Sequence, residues 1–287
     1  MSDARFHESA LSFVCEDETL HGVLTRPAHQ PASAGVLVIV GGPQYRVGSH
    51  RQFVQLARAL AAGGVACLRF DVRGMGDSTG ELHDFETIDP DITAALAALR
   101  AAVPTLQSTV LWGLCDGASA ALMHLERHEA TGISGLVLVN PWVRTVASQA
   151  RTRVKHYYLQ RLADPAFWRK LLRGGVGLRA VSGLFGNLRV ARGAPRPDSQ
   201  AHYTERMARG WLAFDGPRLL ALSDNDYTAR EFEEFTGCDA RWQQALQHRT
   251  PQRLVLEGAD HTCSQPAASR RLEVATLAFI ASINCGS

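Results

Sequence analysis

The sequence predicts an α/β fold: a mostly parallel, doubly wound sheet that carries a helical cap insertion. Three observations predict it. Short, largely apolar runs recur at 35–40, 65–70, 108–112 and 133–139, as strands buried on both faces require. Helix-forming stretches alternate with them, and strand–helix alternation builds a parallel sheet. Of the 287 residues, 46% are apolar, enough for a sizeable core.

Each element follows in order. Residues 11–15 and 20–25 predict a hairpin that turns at Glu16-Asp17-Glu18. Residues 35–40 predict a buried central strand, and 53–62 an amphipathic helix stopped by Gly63-Gly64. A second buried strand follows at 65–70, then a helix at 91–102 that stops before Pro104. Residues 108–112 predict a strand leading into Gly113-Leu114-Cys115-Asp116-Gly117, after which 118–128 are helix-forming. Residues 133–139 predict another buried strand, ended by Asn140-Pro141. The alternation then breaks. Residues 142–216 are basic, aromatic and Gly-rich, and predict a helical cap over the carboxyl edge of the sheet. Alternation resumes with a strand at 218–222, a short helix at 231–236, a last strand at 252–257 and a closing helix at 271–283. The core is therefore expected at 1–141 and 217–287.

Charge is balanced overall, 30 Lys and Arg against 28 acids, but not locally: 144–209 hold 14 Lys and Arg against 3 acids. Such a cap suits an anionic membrane surface or an anionic, carrier-linked acyl substrate. It equally suits an ordinary cap with solvated Arg over an apolar underside. No nucleic-acid-reading motif is present, so nucleic acid is not an expected partner. Residues 1–10 lack the apolar h-region of a signal peptide. No apolar run approaches the ~20 residues of a membrane span. Six Cys are scattered without a Cys-x-x-Cys pair, as in a reduced cytoplasmic protein, with the basic cap permitting peripheral placement at the inner membrane. Neither a cofactor nor a metal is expected.

The chemistry concentrates at strand ends. Cys115 sits between Gly113 and Gly117 at a strand-to-helix turn, where a tight bend lifts a nucleophile clear of the sheet and the helix N-terminus favours thiolate. His261, just after the last strand, is the candidate general base. Asp226, after the strand at 218–222, is the candidate acid that orients it, with Asp224 a competitor more readily read as a turn former. The backbone N–H groups of Asp116 and Gly42 are the candidate oxyanion donors, because Pro43 has none. Gln44 is the candidate pocket-lining, substrate-binding residue.

The ordered set resembles the α/β-hydrolase superfamily over 11–141 and 218–283. That resemblance implies a nucleophile–acid–His order and a mainly structural role for Asp71-Val72-Arg73-Gly74-Met75-Gly76-Asp77-Ser78, bracing loops near the elbow. More narrowly, Gly41-Gly42-Pro43-Gln44-Tyr45-Arg46, Trp112-Gly113-Leu114-Cys115-Asp116 and Asp226-Tyr227-Thr228-Ala229-Arg230-Glu231-Phe232 resemble the exosortase A system-associated hydrolase 1 family. Its bacterial members are linked with PEP-CTERM protein sorting and exopolysaccharide, so the resemblance implies a context rather than a substrate. The arrangement also resembles the dienelactone hydrolases, which implies that Cys can support hydrolysis on this fold. The expected activity is cleavage of an ester or thioester of a small-molecule acyl substrate through a Cys115 thioester. Alternatives are an acyltransferase with a glycan or lipid-carrier acceptor, and a non-catalytic binding protein on the same fold.

Overall fold

In a computed structural model of the protein, the described residues are 5–42, 44–143 and 202–284. Eight strands form one sheet: β1 (Phe6–Cys15), β2 (Glu18–Pro27), β3 (Ala34–Ile39), β4 (Ala66–Phe70), β5 (Ser108–Leu114), β6 (Gly135–Val139), β7 (Arg218–Ser223) and β8 (Gln252–Leu256). Their spatial order is β1-β2-β4-β3-β5-β6-β7-β8. The β1–β2 and β2–β4 pairs are antiparallel, and every pair from β4 to β8 is parallel. The predicted fold class is therefore the observed one. Every residue of β3, β4, β5, β6 and β7 is buried, which is why these strands read as largely apolar runs.

Helices cover both faces. On one lie α1 (Gln52–Ala62) and α7 (Pro266–Asn284), packed on Val36, Val38, Val110 and Trp112. On the other lie α2 (Asp89–Ala102), α3 (Asp116–Arg127), α4 (Tyr203–Ala213), α5 (Tyr227–Cys238) and α6 (Ala240–His248), packed around Leu37, Ile39, Leu111, Leu136 and Leu138. The chain leaves β3 toward α1 and β5 toward α3, on opposite faces. A crevice opens between such neighbouring strand ends, and this is where open α/β sheets bind ligands.

The cap expected at 142–216 takes in α4, which precedes β7 and packs in the core layer. A Cβ on Gly210 would overlap the Leu122 carbonyl oxygen, so α4 and α3 touch backbone to backbone. Trp211 and Trp242 meet at 5.8 Å and 62°, and Phe232 meets Trp242 at 5.5 Å and 80°. Both indole N–H groups are satisfied, donating to Arg249 O at 3.1 Å and Thr204 O at 3.0 Å. Glu126 on α3 ties α4 down further through Arg206 and Arg209. Residues 144–201 of the expected cap, with the basic stretch 151–192, lie outside the described residues.

Among the described residues, no helix is long and apolar enough to cross a membrane.

Candidate active site

The turn after β5 places Cys115 in a conformation that L-residues rarely adopt, φ 61 and ψ −126. Three glycines make it feasible. A Cβ on Gly113 would lie 2.5 Å from the Ala118 nitrogen. One on Gly117 would overlap the Ile39 carbonyl oxygen and stand 3.1 Å from the Gly41 nitrogen. One on Gly41 would sit 2.5 Å from Leu114 O and 2.6 Å from the Gly117 nitrogen. The elbow and the end of β3 are thus in backbone contact, which brings Gly42 and Asp116 together. Cys115 N–H donates to Val139 O at 2.9 Å, and Trp142 N–H donates to Cys115 O at 3.2 Å, so β6 holds the turn from its other side.

The acid and the imidazole meet. His261 Nδ1 lies 2.8 Å from Asp226 Oδ2, with Asp226 buried and His261 about one-third exposed. Asp226 also caps α5, accepting from Thr228 N–H and Ala229 N–H at 3.2 Å each. Three donors thus fix its carboxylate. Asp224 does not contact His261; its Oδ1 accepts from Gly258 N–H at 2.7 Å and shapes the loop after β8.

Sequence reasoning missed Asn140, which it took for a strand terminator. This fully buried residue, at φ 46, is the tie behind the site. Its Oδ1 accepts from Ser223 N–H at 2.9 Å, and its Nδ2 donates to Ser223 Oγ at 3.0 Å and to His261 O at 3.1 Å. One side chain therefore connects the ends of β6 and β7 with the His261 loop. The signal available in sequence was a polar residue closing an all-apolar strand.

The loop after β3 is held by the segment 71–78. Buried Asp71 accepts from Arg46 N–H at 2.6 Å, from the Arg46 guanidinium and from Asp77 N–H at 3.2 Å. Ser78 Oγ donates to Asp71 O at 2.8 Å, and Arg73 pairs with buried Asp91 at 2.8 Å. This bracing is the structural role that the resemblance implied. Gln44 spends its Oε1 within its own loop, accepting from Ser49 N–H and Gln52 Nε2 at 3.3 Å each.

The other thiols differ from Cys115. Burial pushes Cys15 and Cys263 up to about 11 and Cys67 up to about 12, whereas Cys115 is only partly buried, at a helix N-terminus. Elsewhere, Asp89, His124 and His128 each bring a potential ligand atom within 4.8 Å of the others. The contacts of His124 and His128 to Asp89, 2.7 and 2.8 Å, are hydrogen-bond lengths, and Arg127 lies 3.7 Å from the same carboxylate. Hydrogen bonding between the start of α2 and the end of α3 accounts for this cluster.

The chain is similar in fold to an esterase of Pyrococcus furiosus, with a TM-score of 0.64 at 16% identity over 98% of this chain and 94% of that one. It is similar to a dienelactone hydrolase of Anabaena variabilis, with a TM-score of 0.59 at 15% identity over 95% and 96% of the two chains. A proline iminopeptidase of Mycobacterium smegmatis gives 0.58 at 15% identity over 97% and 99%. No curated protein matches the sequence significantly. The model of the alpha/beta hydrolase family matches residues 36–274, most of the sheet and every strand end described above, and the chain belongs to that family.

Proposed function

We propose that the protein is a hydrolase that cleaves an ester or thioester through a Cys115–His261–Asp226 triad. One observation carries the reading: the 2.8 Å contact between His261 Nδ1 and Asp226, on loops that share a sheet edge with the strained Cys115 elbow. Family membership and the likeness to esterases support hydrolase activity in general.

With Nδ1 committed to Asp226, Nε2 is the ring nitrogen that takes the Cys115 proton. The thiolate attacks the acyl carbon, and the N–H groups of Asp116 and Gly42 receive the oxyanion. Collapse forms an acyl-Cys115 thioester, and His261 returns the proton to the departing alkoxide or thiolate. Water activated by His261 then releases the acid. Gln44 lines the entrance from the braced β3 loop. Within the family, the segments 41–46, 112–116 and 226–232 support placement with the exosortase A system-associated hydrolases, and an anionic carrier-linked substrate suits the basic stretch 144–209. The protein works in the cytoplasm or at the inner face of the membrane on this reading.

The test is turnover of aryl esters and acyl thioesters by Cys115→Ala. Loss of turnover with an unchanged fold is expected; undiminished turnover removes Cys115 from the mechanism.

A further inference from the structure

The short segment 139–142, where β6 ends, touches both sides of the catalytic constellation. Toward the nucleophile, Val139 O accepts from Cys115 N–H at 2.9 Å, and Trp142 N–H donates to Cys115 O at 3.2 Å. Ser119 Oγ, in the first turns of α3, grips the same tryptophan: it donates to Trp142 O at 2.7 Å and accepts from Trp142 N–H at 3.1 Å. Asn140 lies between those grips and faces the other way. Its N–H donates to Ala221 O at 3.0 Å on β7, and its side chain reaches the His261 loop. The amide has one possible orientation. Ser223 N–H can only donate, so Oδ1 faces it at 2.9 Å. The two Nδ2 hydrogens then fall to Ser223 Oγ at 3.0 Å and to His261 O, which can only accept, at 3.1 Å. Asn140 is fully buried and held at φ 46. Such a conformation persists where the surroundings over-determine it, and it clusters at active sites.

We propose that Asn140 is a positioning residue for the reaction: through His261 O it sets the reach of the imidazole toward the Cys115 sulfur, with Val139 and Trp142 as the fixed points on the nucleophile side. The inference rests on the triad reading above and deepens it. The nucleophile stands on a turn held by Val139 and Trp142, and the base stands on a loop held by Asn140. One segment therefore references both reacting groups. Asp226 and Asn140 divide the control of His261. The 2.8 Å contact of Asp226 with Nδ1 fixes the rotation of the ring, and Asn140 fixes the backbone from which the ring projects. Without the Asn140 bond, the ring stays paired with Asp226 while its backbone is free to drift. Proton transfer needs the two heavy atoms within hydrogen-bond reach, and a misplacement of about 1 Å costs on the order of 100-fold. The β3 loop, where Gln44 lines the entrance, is braced independently by Asp71, so substrate binding does not depend on Asn140.

The test is kcat and KM on an activated aryl ester, with rapid-quench intact mass to follow acyl-Cys115, in the wild type, Asn140→Gly and Leu99→Ala. All are read well below their melting temperatures, so that every molecule counted is folded. Glycine removes the side chain and is at ease at φ 46. Leu99 is buried on α2, away from the strand ends, and Leu99→Ala is a control that lowers stability through a cavity. Asn140→Gly should lose about 10- to 100-fold in kcat with KM within about threefold. Acylation and deacylation should slow together, because His261 serves both steps. Leu99→Ala should keep the wild-type kcat. Wild-type kcat in Asn140→Gly, a rise in KM with kcat unchanged, or an equal loss of kcat in Leu99→Ala overturns the proposal. If Asn140→Gly does not fold, Asn140→Ser, whose side chain is too short to reach His261 O, decides by the same criteria. A wild type that never forms acyl-Cys115 removes the triad reading and this proposal with it. Acyl-Cys115 formed and discharged at wild-type rates in Asn140→Gly removes the Asn140 proposal alone.

Discussion

Asp226→Asn separates the catalytic from the structural duty of one carboxylate. Asp226 accepts from His261 at 2.8 Å and from two N–H groups at the start of α5 at 3.2 Å. Asn caps a helix about as well as Asp, so the fold should hold to within about 1 kcal/mol, or a few °C in Tm. The imidazole fares differently. An Asn that turns its oxygen to α5 presents NH2 to Nδ1, which places the ring proton on Nε2 and leaves no base facing Cys115. Even if the tautomer survives, the charge-assisted bond to the imidazolium is lost, which is about 1.5–3 kcal/mol. At about 1.4 kcal/mol per decade, kcat/KM should fall roughly 10- to 150-fold. A thiolate needs its base less than a serine does, so the loss should stay below the ~10⁴ known for serine triads. The assay is kcat/KM on an aryl ester beside a thermal melt, with Asp224→Asn as control, since the Asp224 carboxylate accepts from Gly258 N–H and not from His261. Wild-type turnover in Asp226→Asn, or an equal loss in Asp224→Asn, would refute the reasoning.

Four further outcomes follow from the same structure. Gly117→Ala forces a Cβ into Ile39 O, so the elbow must open; stability should drop by about 1–3 kcal/mol or more and acylation should be lost, seen by melting and mass shift. Asn140→Ala strands the Ser223 N–H and frees the His261 loop, and should cost roughly 2–4 kcal/mol in urea unfolding. Glu126 is held below the usual carboxylate range because hydrogen bonds from Arg206 and Arg209 outweigh the opposing effect of burial. A depressed folded-state value stabilises above the unfolded value, near 4, and that stabilisation is lost as pH falls through the folded one. Glu126→Gln should therefore lower Tm by a few °C at pH 7, with the gap to wild type closing below about pH 4. Iodoacetamide near neutral pH should label Cys115 ahead of exposed Cys238 and spare Cys15, Cys67 and Cys263, read by peptide mapping.

The strands were legible because burial on both faces leaves almost only apolar side chains at 34–39, 66–70 and 135–139, with Arg69, paired to Glu8, the exception. The hairpin was read short, since β1 starts at Phe6 with an exposed face that carries no apolar signal. The helix α6 went unseen because Trp242 and Ala245 are the residues it buries in a mostly polar ARWQQALQH. The helix α4 was assigned to the cap because a basic run precedes it, and nothing in the sequence marks Gly210 as its contact with α3. The elbow and the Asp226–His261 pair were legible from order along the chain. The Asn140 tie was not, since it depends on which strand ends become neighbours across the sheet.

The most direct measurement is the intact mass of the protein after brief exposure to a panel of acyl esters and acyl thioesters. A single acyl increment, mapped to Cys115, absent in Cys115→Ala and discharged by water in the wild type but only slowly in His261→Ala, is the predicted result. Turnover of the same donors with no increment on Cys115 under any quench, or an increment that persists in Cys115→Ala, would contradict it.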